Sequence, residues 1–144
     1  MSHTGLRSFD STIQTTNTWL HEIMEEMGWE DRHRAYHALR AVLHALRDQF
    51  PVTEAVALGA QLPLLVRGIY YDGWQVNKVP LRERKIEAFL AHVGQSYEHD
   101  PDIDLERVTK VVFRVLANHV DRGEVEGIRR ILAQDLRTLW PEEC

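Results

Sequence analysis

The residues with the clearest potential for chemistry are histidines, of which the chain has eight. His33, His37 and His44 fall on one face of a predicted helix, at i, i+4 and i+11. Two histidines one turn apart can ligate zinc. Here no glutamate lies between them, and Arg40 and Arg47 flank the pair and repel a cation. We therefore predict a solvated face and no metal site, with zinc at His33 and His37 as the weaker alternative.

Part of this face recurs in the second half of the chain as a second basic stripe. The two stripes are His37, Arg40 and His44, and Arg107, Lys110 and Arg114. Because the protein is acidic overall, two matching basic stripes indicate contact surfaces for an acidic partner or a phosphorylated small molecule. The alternative is that these cations face water or pair with acids of neighbouring helices, as surface ion pairs commonly do.

The segment "RGIYYDGW", residues 67 to 74, combines an arginine with three large aromatic residues. One interpretation is a site for binding an anionic ligand or for catalysis, formed by Arg67, Tyr71 and Trp74. The other is a structural joint, in which the rings cover the seam between two halves of the fold. Arg67 recurs as Arg137, and a cation near a helix C-terminus is favoured by the helix dipole. We favour the joint.

No catalytic motif appears in the sequence. The serines lack nucleophile-elbow glycines, there is no glycine-rich phosphate loop, and the single cysteine is Cys144. We expect no cofactor, although acid–base pairs assembled only in three dimensions stay open.

Composition limits the class of protein. The chain has 144 residues, 44% of them hydrophobic and 27% charged, which is typical of one globular domain. A net charge of −5 argues against nucleic-acid binding. The sequence has neither a long apolar run nor a signal-like N-terminus, so we expect a bacterial cytoplasmic protein that does not bind membranes.

Hydrophobic periodicity predicts an all-α fold of about six helices and no sheet. The first three segments run over about 11–27, 31–50 and from 53 to the "RGIYYDGW" stretch, with Pro63 expected to kink the third. The fourth carries Ile86 to Tyr97, the fifth runs over about 104–119, and the sixth carries Val125 to Leu139.

The second half reads as a copy of the first at an offset of 70 residues, as in the pairs Leu20/Leu90, Val42/Val112 and Arg67/Arg137. We therefore predict two pseudo-symmetric three-helix units, 9–74 and 81–140, stacked in a HEAT-like bundle within one domain. Residues 1–8 are expected to be disordered, and 141–144 form a tail.

The chain resembles DUF2267, a bacterial domain family of unknown function. The resemblance rests on "AVLHALRDQFPVTEAVALGAQLPLLVRGIYYDGW" and "ERKIEAFLAHV" and spans about residues 9 to 140. It implies an all-helical fold with an internal duplication and carries over no catalytic residues. We expect a non-enzymatic module that self-associates or binds a protein partner, with an anionic-ligand binding protein or enzyme at the seam as the alternative.

Overall fold

The computed structural model describes residues 4–142, which form seven α-helices and no strand. The all-α prediction is confirmed. The α-helices are α1 (Arg7–Met27), α2 (Arg32–Arg47), α3 (Val52–Gln61), α4 (Leu64–Tyr71), α5 (Ile86–Gly94), α6 (Leu105–His119) and α7 (Arg122–Ile131). Short 3-10 helices cover Val76–Lys78, Gln95–Tyr97 and Leu136–Leu139. None of the described helices is long and apolar enough to cross a membrane.

Local sequence sets several of the helix ends. Asp31 and Asp104 precede α2 and α6, and their carboxylates accept hydrogen bonds from backbone N–H groups of the first turn, at 2.9 and 3.1 Å. These bonds satisfy donors that a helix start leaves free. α1 ends at Gly28, whose φ of 73° is the left-handed conformation that glycine adopts without steric cost.

Both halves of the chain share one core, built around α2 and α6. α2 packs against α1, α4, α5 and α6, so it is buried on most of its surface. The large side chains of the core come from both halves: Trp19, Leu39, Leu43, Leu46, Phe50, Leu58, Leu62, Tyr70, Phe89, Phe113 and Leu116. Trp19 and Phe89, which pair in the duplication, are each only 1% exposed.

The third predicted helix is broken at Pro63 into α3 and α4, which corrects its prediction as one kinked helix. The residue before a proline is pushed out of the helical conformation, and Leu62 is extended, with φ −89° and ψ 144°. Leu132, its counterpart in the second half, is also extended although alanine follows it. Proline therefore reinforces a break that the fold makes in both halves.

The two halves differ most in their first helix. α3 and α7 occupy equivalent residues at the offset of 70, Val52–Gln61 and Arg122–Ile131. By contrast, α1 has 21 residues and α5 only 9. The counterpart of the first half of α1 is a non-helical linker, residues 79–85.

The N-terminal boundary also needs correction. α1 begins at Arg7, within the stretch expected to be disordered, and the Asp10 carboxylate accepts hydrogen bonds from the backbone N–H and hydroxyl of Thr4, each at 3.0 Å. Residues 1–3, and the last two residues of the predicted tail, lie outside the described part of the chain.

Two helical glycines make a matched test of this packing. A methyl group added at Gly59 collides with the hydroxyl end of the Tyr71 ring, which must then shift from its stacked position on Trp74, with centroids 5.4 Å apart. A methyl group at Gly68 meets nothing within 4 Å. We expect Gly59→Ala to lower the free energy of unfolding by about 1–3 kcal/mol. Gly68→Ala should raise it by about 0.5–1 kcal/mol.

Urea denaturation of both variants beside the wild type measures the two changes. A Gly59→Ala protein as stable as the wild type would contradict the packing of Tyr71 on α3.

Candidate functional site

Arg67 and Arg137 occupy equivalent positions, and each donates to two carbonyls at the end of the preceding helix, of which those of Leu62 and Leu132 are equivalent. Arg67 donates from Nε to the Gly59 carbonyl and from Nη2 to the Leu62 carbonyl, both at 2.9 Å. Arg137 donates to the carbonyls of Leu132 and Arg130, at 3.0 and 3.1 Å. Each guanidinium therefore satisfies carbonyls left free where the preceding helix ends. These contacts are structural, and arginine suits them because its planar guanidinium can donate to two carbonyls at once.

Tyr71 and Trp74 stack on each other. Their ring centroids are 5.4 Å apart, and Tyr71 lies over Gly59 of α3. Tyr70 is fully buried, and its hydroxyl donates to the Ala55 carbonyl at 2.7 Å. The structure brings Arg67, Tyr71 and Trp74 together, and they join α4 to α3 within the first half.

The first basic stripe is committed to contacts within the fold. His37 Nε2 donates to the Ser96 carbonyl at 2.5 Å, and His44 Nε2 donates to the Ile69 carbonyl at 2.7 Å. Burial lowers the pKa of His44, so this histidine is neutral near pH 7. Arg40 pairs with Asp72 at 2.6 Å.

The second stripe lies against the C-terminal end of α1. Arg107 donates to the Glu26 carbonyl at 2.9 Å, and Arg114 forms an ion pair with the Glu26 carboxylate. Lys110 pairs with Glu106 along its own helix, at 3.1 Å. These cations keep more exposure than the first stripe. Arg114 and Lys110 are paired with acids, as in the alternative that the sequence left open, whereas Arg107 bonds to a backbone carbonyl.

The histidines do not converge on a metal-binding arrangement. His33 is exposed, while His37 Nε2 carries a proton because its partner, a carbonyl, can only accept. Across residues 4–142, no three His, Cys, Asp or Glu side chains cluster in a way that could hold a metal ion.

A buried polar network at the C-terminal end of α2 connects the two halves. Arg47, 4% exposed, donates to the Asp48 carboxylate at 2.9 Å and to the carbonyls of Tyr70 and Asp72 at 2.8 and 3.0 Å. His92 of α5 lies 3.3 Å from the second Asp48 oxygen. The network therefore joins the end of α2 to the end of α4 and to α5.

The linker enters this network through Gln49 and Glu83. The amide of Gln49 donates to the Glu83 carboxylate at 2.7 Å and accepts from the Glu83 backbone N–H at 2.8 Å. His92 lies 3.5 Å from Glu83, and Leu81 donates its backbone N–H to the Asp48 carbonyl at 2.8 Å. Sequence reasoning missed this network because its members lie far apart in the chain. Its only local signal is the charged Arg47–Asp48 pair, which is equally typical of an exposed helix end.

The network shifts the pKa of both titratable partners. The hydrogen bond to Asp48 raises the pKa of His92, and burial acts against it less strongly. For Asp48, burial acts to raise the pKa, but hydrogen bonds from His92 and Arg47 together outweigh it and hold the pKa below its usual range. His92 is thus favoured as a cation between two carboxylates.

Two surfaces of the described part of the chain remain open to solvent. The first, named here the α1/α4 face, consists of large apolar side chains that are 39–56% exposed: Leu6, Phe9, Ile13, Leu64 and Leu65. The second is a groove of about 1020 Å³ between the linker and the segment after α7, lined on one side by residues 82–85 and on the other by 131–136 and Thr138. We name it the seam groove.

The fold and its family point to the same class of protein. Seven helices packed around one shared core, with equivalent elements in both halves, define a duplicated all-α domain. A family model described as an uncharacterized conserved protein, DUF2267, matches residues 16–139, nearly the whole chain. The protein belongs to this family. No curated protein matches the chain.

The buried network predicts a pH dependence of stability that depends on His92. Because the folded-state pKa of His92 lies above its unfolded value of about 6.5, its contribution is complete below that pH. It is lost as the pH rises through the raised pKa. His44 has the opposite shift, so its effect is nearly complete by pH 7.

We expect His92→Gln to lower the free energy of unfolding at pH 6 by about 1–3 kcal/mol, the range for a charged hydrogen bond. Between pH 7 and 9 the variant should lose less stability than the wild type. Urea denaturation at several pH values measures how the free energy of unfolding changes with pH in the wild type and in His92→Gln. The control is His99→Gln, since His99 is exposed. Parallel slopes for wild type and His92→Gln would contradict a protonated His92.

Proposed function

We propose that the protein is a non-catalytic interaction module that self-associates through the α1/α4 face. The observation that supports this is the uncovered continuation of the core-facing stripe of α1. Thr16, Leu20 and Ile23 of this stripe are buried, and Phe9 and Ile13 continue it at helical spacing but stand in solvent, 48% and 39% exposed.

The start of α4 enlarges the same face. The backbone N–H of Leu65 donates to the hydroxyl of Thr12 at 2.9 Å, which fixes Leu64 and Leu65 beside the N-terminal half of α1. Large apolar side chains grouped on one surface mark interaction sites more often than singly exposed ones do. The proposal places this module in the bacterial cytoplasm, as expected from the sequence.

A second copy is the occupant that the spacing favours. Leu6, Phe9 and Ile13 stand at i, i+3 and i+7, the repeat by which one helix packs along another. A two-fold dimer pairs the same patch on both subunits, and two antiparallel α1 helices present identical stripes to each other.

Charge introduced into the face should separate the subunits. We expect the wild type to be a dimer at micromolar concentration, and Phe9→Glu or Ile13→Glu to weaken dimerisation by at least about 100-fold, since a buried unpaired charge costs several kcal/mol. Sedimentation velocity over a concentration series measures the dissociation constant, and circular dichroism verifies the fold.

Val76→Glu is the matched control, since Val76 is 46% exposed on another element. It should leave the dimer intact. A wild-type protein that is monomeric throughout the series contradicts self-association, and a dimer that both Glu variants retain contradicts the assignment to this face.

A further inference from the structure

We propose that the seam groove is a binding site for a small organic anion that carries an apolar group. The anionic head is a phosphate monoester or a carboxylate. The site does not depend on the proposed self-association, because none of its lining residues belongs to the α1/α4 face.

Three cations line the linker side of the groove within four residues. Arg82, Arg84 and Lys85 are all exposed, and within residues 4–142 none of their side chains forms a hydrogen bond or an ion pair. Every cation of the two basic stripes, by contrast, has a partner. Guanidinium and ammonium groups are the protein's usual ligands for phosphate and carboxylate oxygens.

The two acidic side chains in the groove, Glu83 and Asp135, already accept hydrogen bonds from other parts of the fold. Glu83 accepts the hydrogen bond from Gln49 and lies beside His92, and the Asp135 carboxylate accepts the backbone N–H of Ile86 at 2.8 Å. Their charges are therefore turned toward the fold. The unpaired charge at this site is positive, although the protein as a whole is acidic.

The backbone holds this wall in an unfavourable conformation. Among the described residues, Arg82 is the one non-glycine with a positive φ, 53°. Its neighbours are fixed on both sides, because Leu81 donates to the Asp48 carbonyl and Glu83 donates to Gln49, each at 2.8 Å. Such strain concentrates at functional sites when the surroundings enforce it.

The opposite wall combines apolar side chains with Gln134, Asp135 and Thr138, and its apolar part sets the class of ligand. Ile131 is 38% exposed here, above the buried Leu132 and Leu136. A volume of about 1020 Å³ lies at the upper end of the range of small-molecule pockets. A ligand that satisfies both walls has an anionic head for the arginines and an apolar body for Ile131.

Titration with hexyl phosphate, followed by amide NMR of the labelled protein, tests the site. We expect shifts confined to residues 82–86 and 131–136, with a millimolar or tighter dissociation constant. Hexanol and inorganic phosphate, each lacking one half of the ligand, should bind at least about tenfold more weakly. Hexanoate in the same titration distinguishes a carboxylate from a phosphate head, and sedimentation with phosphatidylglycerol vesicles distinguishes a lipid from a free metabolite.

The double variant Arg82→Gly, Arg84→Gln should weaken hexyl phosphate binding at least about tenfold, while Lys78→Gln, which removes an exposed cation outside the groove, should change it less than about twofold. Glycine also relieves the positive φ, so the single variant Arg82→Gly should unfold at the same temperature as the wild type or higher.

Three results would overturn the proposal. The first is no shift at these residues, and the second is equal loss of affinity in the Lys78→Gln control. The third is tighter binding of inorganic phosphate or of an oligoglutamate peptide than of hexyl phosphate.

Discussion

A single buried cation at the end of α2 stands at the centre of the polar network that links the two halves. The Arg47 guanidinium binds the end of α4 through two carbonyls and holds Asp48, which in turn contacts α5 through His92 and the linker through Leu81. Removing Arg47 leaves two carbonyls without their donor and Asp48 with His92 alone, a loss of about 3–5 kcal/mol for a broken buried pair. The position has no equivalent in the second half, where Ala117 stands. The buried arginine of this joint is therefore contributed by the first unit alone.

The sequence predicted those parts of the fold that depend on local rules. Helical periodicity located the helices and most of the core, and Asp31 and Asp104 marked the starts of α2 and α6 because capping needs only adjacent residues. At Leu62 the sequence predicts only a kink, because Pro63 is the one local signal there. The repeated break at Leu132 shows that Arg67 and Arg137 complete these helix ends, a contact that spans a turn and is invisible to periodicity.

The candidate sites were harder to predict because charge on a helix does not reveal what lies opposite. His37, Arg40 and His44 look solvated in a helical projection, yet each meets a residue from another element. The linker cations behave in the opposite way. Arg82, Arg84 and Lys85 lie outside the segments with helical periodicity, and no cations stand at the equivalent positions of the first half. Neither periodicity nor the alignment of the two halves therefore marks them as a candidate site. Only their unpaired state beside an apolar wall distinguishes them.

The two open surfaces occupy equivalent places in the duplicated fold. At the offset of 70, the linker residues 82–85 correspond to 12–15 of α1, and Asp135 corresponds to Leu65. The contacts at this place differ between the halves: Leu65 donates its backbone N–H to the Thr12 hydroxyl, whereas the Asp135 carboxylate accepts the backbone N–H of Ile86, the counterpart of Thr16. In the first half this place is a long helix with an apolar face, and in the second half it is an extended, cationic strip. Divergence at this one place accounts for an apolar helical surface in one half and a cationic groove wall in the other, the two surfaces on which the proposals rest.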